Sequence, residues 1–313
     1  MPQQTQEPQT TTTPTTPPPA PSKPRKRRLG DRFEGRRLRS LDPLNRVAPY
    51  IMPDRAGSTN VFHSSLDIKA AEKYIRQKRV EGLKGYGMLH FFLSAYVRIV
   101  SQRPAINRFV SGQKVYARHH IEINFVVKKE FTLDGQETTV KVICTPADTT
   151  EDIFHKINAV IAEARWEGDS NSADSAARIL NRIPGLFLRW AVGVFKLLDY
   201  FGKLPRGLIN LSPFHGSMFI TDLGSISLPG VDHHLYNFGN CPLFLAIGPK
   251  QKEFVLNREG QVTERRFLEY SLSIDERVCD GYYFASVFRM LKEIFKNPDQ
   301  LSAPPETVIE DVD

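Results

Sequence analysis

Residues Ser273-Ile274-Asp275-Glu276-Arg277-Val278-Cys279-Asp280-Gly281 decide how the rest of the chain is read. Before them, Leu268, Tyr270, Leu272 and Ile274 alternate with Glu269, Ser271 and Ser273, the period-two pattern of a strand with one buried face. After them, Phe284, Val287, Phe288, Leu291, Ile294 and Phe295 recur at helical spacing until Asn297-Pro298 ends the run. Asp275, Glu276, Arg277 and Asp280 are therefore crowded onto one tight strand-to-helix connection, where ionisable groups meet at the end of a sheet.

Working outward, Asp67 is placed to cap a helix running to Val80, and Met88 to Gln102 puts Met88, Phe91, Phe92, Ala95 and Ile99 on one face before Pro104 stops the helix. Lys114 to Arg118, Ile121 to Lys128 and Thr138 to Thr145 read as strands of an antiparallel meander, the last two joined at Asp134-Gly135. Thr149 or Thr150 opens a helix with Ile153, Ile157, Val160, Ile161 and Ala164 inward, followed by a polar stretch over Gly168 to Asp174. Strands are expected at Ser217 to Thr221, Leu243 to Ile247, Glu253 to Leu256 and Phe267 to Ile274. Mixed strands and helices without βαβ regularity predict an α/β sandwich with a mixed, largely antiparallel sheet, not a doubly wound fold.

The run Ile183 to Phe201 is apolar around much of its circumference. It is expected to be buried or to lie under a neighbouring chain, with docking on a membrane surface as the sharper alternative. Arg189, Lys196 and Asp199 interrupt it, and it is too short to span a bilayer.

The 313 residues carry 42 Lys plus Arg against 35 Asp plus Glu, a net charge of +7. Residues 1–40 hold nine basic and three acidic side chains, so the remaining 273 residues stand at 33 against 32. Net charge thus describes the N-terminal segment, and a near-neutral remainder argues against a sequence-reading nucleic-acid domain. With eight prolines, seven threonines and the run Lys23-Pro24-Arg25-Lys26-Arg27-Arg28, residues 1–40 are expected to be a disordered tail, with an anionic surface or an acidic partner as its tethering target. Residues 41–298 are expected to form the domain, and 299–313 a flexible acidic tail. Cys144, Cys241 and Cys279 are an odd number without zinc-site spacing, which predicts reduced buried thiols, no metal and, with no signal-peptide h-region, a cytoplasmic protein. No P-loop, Gly-x-Gly-x-x-Gly or His-Glu-x-x-His is present. The pairs His119-His120 and His233-His234 are poor ligand sets, because strand neighbours point to opposite faces.

The Asp275-to-Gly281 stretch resembles the Asp-His-Arg-x-x-Asp-Gly signature of the 2-oxoacid dehydrogenase acyltransferases and chloramphenicol acetyltransferases, with Glu276 where that family has its catalytic histidine. Gly216-Ser217-Met218-Phe219-Ile220-Thr221-Asp222-Leu223-Gly224 is similar to the family's Gly-Thr-Phe-Thr-Ile-Ser-Asn-Leu-Gly strand. Pro242 to Gly248 looks like its Pro-x-x-x-x-x-Gly strand, and Pro104-Ala105-Ile106-Asn107 like its Pro-x-x-Asn. The blocks occur in family order over roughly residues 60–297.

The resemblance implies a chloramphenicol acetyltransferase-like two-layer α/β sandwich, assembled as homotrimers with active sites between subunits. It implies coenzyme A as the acyl-CoA substrate, or a related thioester, and a thiol, hydroxyl or amine acceptor. In such a site Glu276 would stand as general base, Ser217 as donor to the oxyanion, and Asp280 with Arg277 as the structural pair of the loop. No lipoyl domain is evident before the acyltransferase-like region, and the family's Gly-Leu-x-x-Pro-Val strand is not evident around Leu133 to Val142. A carboxylate is ordinarily a weaker base than imidazole by about two pK units. Three readings stay open at Glu276: a base at work in a dry channel, a site that binds thioesters without transferring, serving as a scaffold localised by the tail, or a base supplied by His215, His233 or His234.

Overall fold

The computed structural model describes residues 26–128, 137–166 and 182–313. The Asp134-Gly135 turn and the polar stretch 168–174 lie outside them. Among the described residues nine strands form two sheets: β1 (Gly35–Arg37), β2 (Thr59–Asp67), β3 (Arg108–Ser111), β4 (Lys114–Arg118), β5 (Ile121–Lys128), β6 (Glu137–Cys144), β7 (Met218–Asp222), β8 (Leu243–Leu256) and β9 (Val262–Asp275). The larger sheet runs β2-β9-β8-β7-β5-β6, and β1-β4-β3 form a smaller antiparallel one. Among the described strands of this sheet only β5–β7 and β7–β8 pair in parallel, which gives the mixed, largely antiparallel sheet expected.

The α-helices among the described residues are α1 (Pro43–Ile51), α2 (Lys69–Val80), α3 (Met88–Gln102), α4 (Thr150–Trp166), α5 (Gly185–Tyr200), α6 (Arg206–Leu211) and α7 (Gly281–Lys296). Phe91 and Phe92 of α3 meet Phe295 of α7 edge to face, with ring centroids 4.9 and 5.0 Å apart. These rings join Ile123, Phe125, Val140, Val142 and Ile274 of the large sheet in one core, so α2, α3, α4 and α7 form the second layer of the sandwich. The pattern of α3 is legible in sequence because apolar residues recur every three to four positions, and at its N-terminus the His90 ring accepts from Gly87 N through Nδ1.

Three expectations change. β4 leaves the meander and joins the small sheet, because His119 and His120 sit in a turn that redirects the chain; both histidines are exposed there. The strands expected at 243–247 and 253–256 are one strand, β8, with an irregularity between Ile247 and Lys250, where Pro249 lacks an N–H for the ladder. The terminal boundaries at 40 and 298 also move.

From Arg32 onward the N-terminal segment is folded in: Arg32 and Glu34 are buried, Gly35–Arg37 pair with Tyr116–Arg118, and Asn240 Nδ2 donates to Glu34 Oε1 at 3.1 Å. At the other end Arg108 clasps Asp311 with Nε and Nη2, and Ile309 N donates to Ser101 O. Arg36 donates to the carbonyls of Asp311 and Val312, so the basic N-terminal strand holds the acidic C-terminal segment. Low hydrophobicity concealed both segments, because they are fixed by charge-assisted hydrogen bonds more than by apolar burial.

Candidate active site

The end of β9 sits between the starts of β2 and β8: Thr59 pairs with Asp275, Asp275 N donates to Pro242 O, and Glu276 N donates to Ser58 O. Asp275 is fully buried. Arg277 reaches back to it with Nε and Nη2 at 2.8 and 2.7 Å, and gives Nη1 to Met52 O. A second buried guanidinium, Arg55, lies behind, with Nε 3.4 Å from Asp275 Oδ2 and its other nitrogens on the carbonyls of Tyr236, Gly239 and Val110. Burial pushes the Arg55 pKa down and Asp275 opposes that push.

Asp280 does not join this pair. Its Oδ1 accepts from Tyr283 N at 2.8 Å and caps α7, so the expected Arg277–Asp280 brace is corrected to Arg277–Asp275, with Asp280 starting the helix. The geometry follows from chain direction: Asp275 is still in the strand, two residues from Arg277, whereas Asp280 already faces the free N–H groups of the first helical turn.

Between Asp275 and Cys279, Glu276 is the one exposed side chain. Its Oε2 accepts from Asn60 Nδ2 at 2.7 Å, a partner that the sequence reading missed because Asn60 belongs to β2, far away in sequence.

Ser217 is fully buried. Its N donates to Glu122 O, and its Oγ accepts from Glu122 N at 2.9 Å. A serine hydroxyl that accepts this bond still has its own proton to donate. Around it Arg118 Nη2 donates to Gly216 O and Asn240 Oδ1, and Gly216 N donates to the same amide oxygen. A Cβ at Gly216 would push against Asn124 Nδ2 and crowd Glu122 O at 3.1 Å, so the glycine lets the two strands close up. Lys141, close by at 3.8 Å from Glu122 Oε2, is pushed down to about 8 by burial. Arg118, Glu122, Lys141 and Asn240 were also missed, as none stands in a motif.

Continuing the β7–β8 register from Phe219–Phe244 sets Ser217 level with Pro242, one strand from Asp275. Ser217 and Glu276 therefore share an end of the sheet but stand two strand spacings apart, about 10 Å.

The structure gives the alternative histidines other partners, with the His233 carbonyl accepting from Ser273 Oγ. His215 is buried between Ser212 Oγ, 2.8 Å from Nδ1, and Asp199 Oδ1, 3.4 Å from Nε2. His233 stacks on Phe244 with centroids 3.7 Å apart, and its Nδ1 lies 3.0 Å from the carbonyl of exposed His234. All three cysteines are buried and free. No group of three or more potential metal ligands occurs among the described residues.

This two-layer sandwich with a charged strand-to-helix loop is an acyltransferase fold. Residues 203–303 match the family described as 2-oxoacid dehydrogenases acyltransferase (catalytic domain). A probable dihydrolipoamide acetyltransferase from Listeria monocytogenes 4b F2365 is similar in structure, at a TM-score of 0.53 and 15 % identity over 83 % of this chain and 95 % of that one. The dihydrolipoamide acetyltransferase of Azotobacter vinelandii, studied for a serine, a histidine and an asparagine in its catalytic mechanism, also reaches 0.53, at 18 % identity over 84 % and 93 %. A chloramphenicol acetyltransferase is similar at 0.47 and 13 % identity over 82 % and 99 %. No curated protein sequence matches the chain.

Proposed function

We propose that the protein binds an acyl thioester, acyl-CoA or a relative, and transfers its acyl group to a thiol, hydroxyl or amine, with Glu276 as general base. The observation that carries this reading is the construction of the loop. Asp275 and Arg277 are locked in the interior, and the side chain between them is held outward as a bare carboxylate steadied by Asn60. The Azotobacter enzyme adds support: its histidine and asparagine are four positions apart, as are Glu276 and Asp280 here, and Ser217 is a counterpart for its serine.

In the reaction, Glu276 takes the proton of the acceptor, whose sulfur, oxygen or nitrogen attacks the thioester carbonyl. The carbonyl electron pair moves to oxygen, where the Ser217 hydroxyl donates to the developing charge. Collapse expels the thiolate, which recovers the proton from Glu276. Glu276 is exposed while Ser217 is wholly buried in the same chain, which supports a working site completed between copies of a homotrimer, with Glu276 of one copy facing its neighbour. The exposed apolar face of α1, with Leu44, Val47, Tyr50 and Ile51, suits such an interface. Buried free thiols suit a reducing, cytoplasmic setting.

A second reading, thioester binding without transfer, is favoured by the complete burial of Ser217. Acyl transfer from acetyl-CoA to a panel of thiols and amines separates the two, using wild type, Glu276→Gln and Glu276→His. Turnover that falls by roughly 100-fold or more in the Gln variant supports the base. Binding without turnover in wild type, with turnover gained in the His variant, selects the second reading. Wild-type turnover that Gln leaves unchanged removes Glu276 from the reaction.

A further inference from the structure

Among the described residues α5 is covered along one side only: Asp199 is its one buried residue, and Leu188, Ala191, Val194, Phe195 and Leu198 are half-buried. On a helical wheel Arg189, Lys196 and Asp199 gather on one side, while Leu186, Phe187, Trp190 and Leu197, with Phe201 just beyond the helix, share the other. That second side faces solvent, with Leu186 at 79 % and Trp190 at 71 % exposure. An apolar stripe of this size in water needs an occupant.

What lies next to it identifies the occupant. The C-terminal end of α5 is pinned to the basic N-terminal segment, as Arg32 donates to the carbonyls of Asp199 and Tyr200. Gly112, at φ +55°, lets the chain pass there, since a Cβ would fall on Tyr200 O. Beyond the helix, Arg206 stacks over Phe33, 4.6 Å from the ring centroid, and enters a cleft of about 670 Å3 that Lys26, Arg27, Arg28, Arg36 and Arg39 also line. With buried Arg32, seven cationic side chains meet two carboxylates, Asp31 and Asp313, along its walls. Both acids take part in ion pairs, with Arg39 and with Arg28 and Arg36, so the local charge remains strongly positive.

We propose that α5 and this basic cleft together dock the protein on an anionic lipid bilayer. The apolar side of α5 lies in the headgroup boundary, while Lys26, Arg27 and Arg206 attract lipid phosphates beside it. Neither half suffices: cations alone would select any polyanion, and the apolar stripe alone any hydrophobic partner. No helix among the described residues is long and apolar enough to cross a membrane, so the association is peripheral. This inference does not depend on acyl transfer.

The test is co-sedimentation of the full chain with phosphatidylcholine vesicles, with and without about 30 % phosphatidylglycerol, at low salt and at roughly 0.5 M. Binding to the anionic vesicles at least about tenfold tighter than to neutral ones, weakened by salt, is expected. Phe187→Ser with Trp190→Ser, and separately Arg27→Glu with Arg206→Glu, should each abolish it, with circular dichroism and particle mass by light scattering unchanged. In a Trp166→Phe background, Trp190 emission should shift to the blue on binding, as the indole leaves water. Absence of binding to anionic vesicles overturns the proposal, as does binding that the Phe187/Trp190 variant retains. A fall in particle mass in that variant overturns it too, and assigns the stripe to a second copy of the chain.

Discussion

Arg277 grips Asp275, two residues behind it, through two charge-assisted hydrogen bonds in a place where both side chains are almost wholly withdrawn from water. This fork holds the backbone of Glu276 rigid from both sides, so the exposed carboxylate sits on a fixed support, not on a mobile loop.

Removing one partner strands buried charge. Asp275→Ala leaves the Arg277 and Arg55 guanidinium groups without their shared carboxylate and should lower unfolding free energy by about 3–5 kcal/mol. Arg277→Lys keeps the charge but loses the fork and should lower it by about 1–2 kcal/mol. Urea denaturation of both variants checks the order; equal stability of Asp275→Ala and wild type would refute the support role.

Asp280 acts on the helix instead. Asp280→Ala should destabilise by about 1 kcal/mol through loss of the bond to Tyr283 N, and Asp280→Asn, which can still cap, by a few tenths. A brace to Arg277 would make Asn nearly as damaging as Ala, and thermal melts distinguish these outcomes.

Stability should fall in mild acid because of His90. Burial pushes its pKa down to about 4 from an ordinary 6.5, and its Nδ1 accepts from Gly87 N, so the neutral ring is the folded form. The unfolded chain binds the proton first, and the stability present above pH 6.5 drains as pH falls toward 4, by about 3 kcal/mol in all. His90→Gln should flatten that part of the profile in urea titrations between pH 7 and 4; a slope unaltered by the substitution would place its origin elsewhere.

Truncation should be felt at both ends. Removing residues 1–40 deletes β1 with the Arg32 and Glu34 anchors, and removing 299–313 frees Arg108 from Asp311. Each shortened chain is expected to melt several degrees lower by calorimetry. Melting at the full-length temperature would mean that these contacts contribute nothing to the folded state.

The sequence by itself determined what depends on near neighbours. The helices at 88–102 and 281–296, the alternation in 267–274 and the order of the acyltransferase blocks are periodic or contiguous, so local pattern carries them. Glu276 was legible as the distinctive residue of its loop for the same reason. Tertiary structure alone decided which charges meet: Arg277 with Asp275 instead of Asp280, Asn60 on Glu276, Arg36 on the C-terminal segment, and Arg32 on the end of α5. Hydrogen bonds between residues as much as 285 positions apart leave no periodicity behind. A composition count that reads a charged, proline-rich stretch as a tail cannot see that the partners of Arg28 and Arg36 wait at the opposite end of the chain and those of Arg32 at the end of α5, brought there by the packing of the sandwich.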